Sequence, residues 1–349
     1  MLSIFNSCSK GDRWKNGILK EEFIFNNAPF RLCHASTIAE TADGILVCAW
    51  FGGTHEKNPD VCIYVSRKVD GQWSAPVKIA DGIQKVGSRF PTWNPVLFQV
   101  PGGELQLYYK IGPNPKEWQG WFKTSHDGGV IWSEAKMLPP RYIGPVKDKP
   151  VLVGDRLICP SSTEDHGWQV HFEITKDFGK TWQMVGPIND GVTVNAIQPT
   201  LLTYSDGRLQ ILCRSKNRAV LESWSEDNGN TWSSLEKTSL PNNNSGIDAV
   251  TLSDGRQLLV YNHVLPPGND FKGVRTPLNI AVTKDGKNWS AAIVLDDTPN
   301  SEFSYPSVIE TKDGLVHVVY TWNRKRIKHV VIDPEKLTLT PMGNGKWPD

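Results

Sequence analysis

An internal repeat constrains this chain more than any other feature. At a period of roughly 50 residues, typical of radially repeated β units, an apolar stretch enters a glycine turn and a second apolar stretch leaves it. The turns are Asp43-Gly44, Gly102-Gly103, Gly154-Asp155, Asp206-Gly207, Asp254-Gly255 and Asp313-Gly314. The segments that follow, such as Ile45-Leu46-Val47-Cys48-Ala49-Trp50 and Leu315-Val316-His317-Val318-Val319-Tyr320, are short and apolar, as strands are. Gly, Asn and Asp tolerate the positive φ of a tight hairpin turn, so each pair reads as a β-hairpin. Six hairpins with third and fourth strands predict an all-β, six-bladed β-propeller of four-stranded antiparallel blades. The 14 Trp, 30 Gly and 24 Pro suit such a chain. No helix-period pattern of useful length and no Pro/Ser-rich linker divides it, so residues 18–349 read as one domain behind a tail of residues 1–17. The segment 18–25 is expected to pair into the last blade and close the ring.

A second motif closes the third strand of several units. Ser125-His126-Asp127-Gly128-Gly129-Val130-Ile131-Trp132, Thr175-Lys176-Asp177-Phe178-Gly179-Lys180-Thr181-Trp182 and Ser225-Glu226-Asp227-Asn228-Gly229-Asn230-Thr231-Trp232 share one pattern. Thr283-Lys284-Asp285-Gly286-Lys287-Asn288-Trp289 is a shortened copy, and Asp70-Gly71-Gln72-Trp73 a remnant. Ser/Thr and Asp side chains bond turn amides, Gly takes the left-handed dihedral, and Trp packs between blades. These Asp residues are structural.

Because the innermost strand of every blade runs along the axis, equivalent positions from all blades meet around it. Aligned on the glycine turns, the first strands begin His34-Ala35-Ser36, Asn94-Pro95-Val96, Lys149-Pro150-Val151, Gln198-Pro199-Thr200, Asp248-Ala249-Val250 and Tyr305-Pro306-Ser307. His34, Asn94, Lys149, Gln198, Asp248 and Tyr305 should therefore face one mouth. The antiparallel second strands end on the same face, adding Trp50-Phe51, Lys110, Ser161-Ser162, Arg214, Asn262-His263 and Trp322-Asn323-Arg324. Arg218, Arg275 and the loop from Thr54 to Asp60, with Glu56, lie nearby. Convergent polar and ionisable groups in a concavity are the default site. Arginine forks bind a carboxylate with two parallel hydrogen bonds, and Trp or Tyr can face a sugar ring, so an acidic sugar fits the set.

The repeat and the S/T-x-D-x-G-x-T-W motif resemble those of the sialidase superfamily, over nearly the whole chain and best over residues 33–67, 198–232 and 275–324. The resemblance implies a substrate carboxylate held by three arginines, a Tyr nucleophile paired with a Glu, and an Asp acid/base on a first-blade loop. Tyr305 matches the nucleophile, Arg275 the third arginine, and Arg214 the second with Arg218 as competitor. Glu56 or Asp60 occupies the acid/base loop. Two departures stand out. The first arginine falls near His34, leaving that place to His34 or to the neighbouring Arg31. The nucleophile's Glu aligns with Gln198, and an amide cannot accept a phenolic proton as a carboxylate does. Asp248 as base, a different mechanism with His34 or an acid/base pair acting on water, and loss of catalysis all remain open.

The expected function is an exo-acting glycoside hydrolase that releases a terminal acidic sugar, sialic acid or a relative. The alternatives are a hydrolase or lyase acting on uronic-acid glycans, and a non-catalytic glycan-binding propeller. Arg214, Arg275, Arg218, Arg31, Lys149, Asn94, Trp50, Trp322 and Arg324 are the candidate substrate-binding residues. Charges nearly cancel, 38 Lys plus Arg against 37 Asp plus Glu, which argues against nucleic acid or an anionic membrane as partner. No apolar run approaches the roughly 18 residues of a membrane helix. The six cysteines form no metal-ligand spacing, there is no phosphate-binding glycine loop, and no cofactor is expected. Leu2-Ser3-Ile4-Phe5-Asn6-Ser7-Cys8-Ser9 resembles the tail of a bacterial lipoprotein signal with Cys8 lipidated. An exported, periplasmic or cell-surface protein follows from that, the alternative being a plain tail on a cytoplasmic protein.

Overall fold

Glycines at the six hairpin tips all take positive φ, from +61° at Gly154 to +88° at Gly207, which is what lets each apolar pair fold back on itself. The computed structural model describes residues 12–84 and 87–349, and Cys8 lies outside the described residues. Six antiparallel sheets result, each opening with an inner strand: Leu32–Glu40, Thr92–Gln99, Val151–Val153, Ala196–Thr203, Asp248–Thr251 and Phe303–Glu310. Blades 1 to 6 are numbered in that order. The molecule is a six-bladed β-propeller with almost no helix. Three short 3-10 turns are the only helical segments among the described residues. None is long and apolar enough to cross a membrane.

Ring closure uses the start of the described chain. Ile18–Phe23 pairs antiparallel with Arg326–Ile332 as the outermost strand of blade 6, so a segment remote in sequence completes the last sheet. Blades 1 and 5 each carry one strand beyond the expected four, because Val77–Ala80 pairs with Cys62–Val69 beside Gln72–Trp73 and Thr340–Pro341 pairs with the outer edge of blade 5. Apolar clusters fill the spaces between neighbouring sheets; the largest joins blades 5 and 6 through Leu258, Ile280, Phe303, Val318 and Tyr320. Burial of side chains this large contributes about 1.5–3 kcal/mol each.

The S/T-x-D-x-G-x-T-W turns, with the shortened copy in blade 5, lie at the ends of the third strands of blades 2 to 5, opposite the end where inner strands begin. In the blade 4 copy the Ser225 hydroxyl accepts from Gly229 N (2.9 Å), and Asp227 accepts from Asn230 N (3.0 Å) and Thr231 N (2.8 Å). Trp232 then stacks on Phe172 of blade 3, ring centroids 4.3 Å apart, so the motif ties blade to blade. Hydrogen bonds from Thr231 hold the Asp227 carboxyl down to about 2. These carboxylates are used in building turns.

At the closure, Glu22 accepts hydrogen bonds from Lys68 (2.7 Å), Trp73 (3.1 Å) and His329 (3.0 Å), and Lys20 pairs with it at 2.6 Å. Burial opposes its ionisation, but these donors outweigh it and hold the carboxyl well below its ordinary range. His329 in turn bonds His317 at 2.9 Å, and burial pushes His317 down to about 4. Both shifts act in one direction. The unfolded chain takes up a histidine proton below about pH 6.5 that folded His317 refuses until about 4. Glu22's contribution is full above its unfolded value and fades as pH falls further. The melting temperature is therefore expected to drop progressively as pH is lowered from about 6.5. Glu22→Gln should flatten the steepest, most acidic part of that curve and lower stability at pH 7 by about 1–3 kcal/mol. Thermal unfolding across pH checks both.

Candidate active site

The inner strands do not enter the axis as regular strands. Ser304 pairs with Thr321 and Ser307 with Val319, so one extra residue is inserted at Tyr305-Pro306. The same one-residue bulge occurs after His34, Trp93 and Ile197. Its apex residue takes positive φ: Ala35 at +56°, Asn94 at +34°, Gln198 at +55° and Tyr305 at +52°. For residues other than glycine this conformation costs on the order of 1–2 kcal/mol each. A bulge re-aims a side chain that a flat strand would leave on the sheet face. The alignment of the repeats is corrected by one residue in blade 1, where Ala35 and not His34 occupies the place of Tyr305.

Tyr305 and Gln198, from blades 6 and 4, meet at this mouth. Arg214 Nη1 donates to the Tyr305 hydroxyl at 2.7 Å and to Gln198 Oε1 at 3.2 Å, and Gln198 Nε2 contacts the hydroxyl at 3.3 Å. Arg214 is itself aimed by Asn244 Oδ1, which accepts from its Nε at 2.9 Å. The guanidinium carbons of Arg214 and Arg275 lie 5.6 and 5.8 Å from the Tyr305 ring centre. His34 packs on that ring at 4.1 Å and bonds Thr321 Oγ1 at 3.0 Å. Burial, with the charges of Arg324, Arg275, Arg214 and Lys147, holds His34 well below its ordinary range, so its imidazole is neutral.

The third cation of the mouth is Arg324. It donates to Glu56 Oε2 at 2.6 Å and to Glu302 Oε1 at 2.8 Å, while Arg275 reaches the same Glu302 oxygen at 3.0 Å. Its carbonyl accepts from Cys33 N at 2.7 Å, which brings it beside the start of the blade 1 inner strand. Arg31, the other candidate for this place, is exposed and faces an outer cleft with Phe30, Asp60 and Arg89. Arg218 is turned away as well, spent on the carbonyls of Asp270 and Pro266.

Several other expected site residues lie elsewhere. Trp50 is fully buried, stacked on Phe25 at 4.9 Å, and has no surface to offer a ligand. Trp322 packs against Phe23 and Arg326 on the outer strands of blade 6. Lys110 is buried and donates to the Pro145 carbonyl; burial pushes it down to about 7. Asn94 is buried at its bulge. Asp60 accepts from Thr54 N and Thr54 Oγ1 (2.6 Å), shaping the first-blade loop.

Asp248 is placed on the axis but makes no hydrogen bond to Tyr305. Its carboxylate accepts from Lys149 Nζ (2.9 Å), Thr200 Oγ1 (2.8 Å), Val308 N (2.8 Å) and Ala249 N (2.8 Å). Burial opposes ionisation, yet Lys149 and Lys147 hold its carboxyl below the ordinary range. With its acceptor sites filled, it cannot take a phenolic proton, which corrects the expectation of Asp248 as base. Lys147, which the repeat alignment passed over, donates to Asp148 (2.7 Å), Ile247 O (2.6 Å) and Pro306 O (2.8 Å) directly beneath the Tyr305 ring. Glu302, Asn244, Glu164 and Trp168 also escaped sequence reasoning. Each precedes or follows a strand in a segment that reads only as a turn. The loop after the second strand of blade 3 was nevertheless traceable, because blade 1 carries Glu56 in the corresponding loop.

Residues 44–318 match the family described as a BNR repeat-like domain, and the chain belongs to that family. The fold is similar to that of the NanB sialidase from Streptococcus pneumoniae, with 13% identity and a TM-score of 0.72 over 93% of this chain and 71% of that one. It is similar also to the intramolecular trans-sialidase from Ruminococcus gnavus, at 14% identity and TM-score 0.70 over 92% and 98%. A protein of unknown function from Dyadobacter fermentans matches at 18% identity and TM-score 0.72 over 90% and 98%. A comparison with curated proteins returns no match.

The axial ion pair yields a direct test. Asp248→Asn leaves the partly buried Lys149 without its counter-charge and should lower the unfolding free energy by about 3 kcal/mol. Adding Lys149→Met should recover part of that loss, measured by chemical denaturation as a double-mutant cycle.

Proposed function

We propose that this sialidase-like propeller is a glycoside hydrolase that releases a terminal acidic sugar from a glycan. The observation that carries it is the 2.7 Å bond from Arg214 to the Tyr305 hydroxyl, with Arg275 beside the same ring. A nucleophilic oxygen and cations suited to a sugar carboxylate thus share one recess. Arg214, Arg275 and Arg324 receive the carboxylate, in keeping with the planar fork that guanidinium presents to such groups. Arg324 takes the place that the resemblance gave to a first-blade arginine. Glu302, bonded to both Arg275 and Arg324, orients the two forks. Tyr305 attacks the anomeric carbon, as sialidase-type glycosidases do. The named sialidases among the similar folds support this reading at the level of fold.

Gln198 favours a second reading, an acidic-glycan binding protein without turnover. Arg214 anchors Gln198 Oε1, so the amide presents its NH2 to the tyrosine. A carboxylate there would accept the phenolic proton instead. The two readings separate in one experiment on terminal sialic-acid and uronic-acid glycosides, followed by mass spectrometry of released monosaccharide. Under the hydrolase reading the native chain releases hydrated sugar, Tyr305→Phe loses roughly 10³-fold or more in kcat, and Gln198→Glu gains roughly 10²-fold. Saturable binding without any released sugar selects the binding protein. An unsaturated product would point to elimination.

A further inference from the structure

Proton transfer to a departing sugar needs a carboxyl group in the mouth that is not already committed. Most candidates are. Glu302 serves Arg275, Arg324 and Ser304, and Glu56 serves Arg324. Asp60 is held by Thr54, Asp148 by Lys147, and Asp248 by four donors. Glu173 accepts from Ile143 N, Gly144 N and His171. One remains. Glu164 accepts a single hydrogen bond among the described residues, from Trp168 Nε1 at 3.0 Å, and its Oε1 is uncommitted.

The fold brings Glu164 to the mouth that holds the tyrosine. It follows Arg156–Thr163, the second strand of blade 3, whose far end reaches the mouth. Two residues earlier, Ser162 Oγ accepts from Gln198 N at 3.1 Å. Trp168 is pinned by its carbonyl, which accepts from Ala196 N (3.3 Å) and Asn189 Nδ2 (2.6 Å). The Arg214 guanidinium then lies 5.2 Å from the Trp168 ring while touching Tyr305. Glu164 therefore sits one indole away from the group that holds the tyrosine, on the wall between blades 3 and 4.

The charged groups facing it are Arg214 and Lys216 of blade 4 and Lys116 of blade 2. Asp165 and His166, on its own loop, pair with each other in solvent. Burial pushes the Glu164 carboxyl above its ordinary value, and the cations and the indole donor oppose this without cancelling it. A carboxyl whose proton is held more tightly because of burial suits the role of a general acid.

We propose that Glu164 is the acid–base group of this site, protonating the departing glycosidic oxygen. The role rests on the hydrolase reading above. In the first half-reaction the Glu164 proton moves to the glycosidic oxygen, which leaves with the bonding pair as an alcohol. Tyr305 oxygen bonds to the anomeric carbon and its proton passes to solvent. In the second, water bonds to that carbon as the tyrosyl bond breaks. One water proton goes to the Glu164 carboxylate, and the tyrosinate regains a proton from solvent. The sum is hydrolysis, with both side chains restored.

The test compares an aryl sialoside, whose phenol leaves without help, with a sialyl-galactoside, whose alcohol must be protonated. Glu164→Gln should lose roughly 10²–10⁴-fold in kcat/KM on the galactoside and stay within about tenfold of the native chain on the aryl substrate. Its melting temperature should match that of the control Asp165→Asn, which keeps both activities. Trp168→Phe removes a donor that favours the ionised carboxyl, so the alkaline limb of its kcat/KM profile should move to higher pH, a shift that a structural role does not produce. Equal loss on both substrates, no loss on either, or an unmoved limb in Trp168→Phe overturns the role of Glu164 alone. A native chain inactive on both substrates overturns the hydrolase reading, and the acid–base role falls with it.

Discussion

The carboxylate of Asp248 is the interaction on which the mouth depends. Thr200 of blade 4, Val308 of blade 6, Lys149 from the start of blade 3 and its own blade 5 backbone all donate to it. A buried charge is tolerated only when its lone pairs are filled, and here filling them requires four blades at the correct radius. Lys147 extends the network by reaching Ile247 and Pro306 across the axis. A plug of paired charges thus closes the channel beneath Tyr305 and sets the height at which the tyrosine sits.

Above the plug, backbone strain does the positioning. The bulges at Ala35, Asn94, Gln198 and Tyr305 each insert a residue and hold it at positive φ. Such strain persists where the surroundings over-determine it, and at Tyr305 they do: Lys147 lies below the ring, His34 packs against it, and Arg214 holds its oxygen. Blades 3 and 5 have no comparable bulge and contribute the axial lysines and Asp248 instead. One repeat fold has been put to two uses, side chains aimed out at the mouth and side chains locked under it.

The blades were legible because their signals are local. Asp43-Gly44 and its counterparts mark hairpins within a few residues, and Asp127, Asp177 and Asp227 organise turns with amides no more than four positions away. Register around the axis was partly legible: the equivalence of Asn94, Gln198 and Tyr305 follows from their prolines, whereas Ala35 has no proline after it and slipped to His34. Trp50 misled because its strand reaches the mouth while its side chain faces the blade core, where Phe25 from a distant segment covers it. Arg31 and Arg324 show the same limit, since which one meets Glu56 depends on how the last blade closes against the first.

Composition, repeat period and turn chemistry thus determined by themselves that the chain would form a ring of six sheets with polar groups at one pole. Those properties arise from hydrophobic alternation and dihedral preference over short spans. Tertiary structure alone decided which groups are engaged and which are free. Asp248 became a plug, Arg324 a mouth cation, and Glu164 a carboxyl with one open oxygen, because hydrogen-bond saturation depends on partners contributed by other blades. Those partners lie tens to hundreds of positions away, 99 for Lys149 with Asp248 and 268 for Arg324 with Glu56.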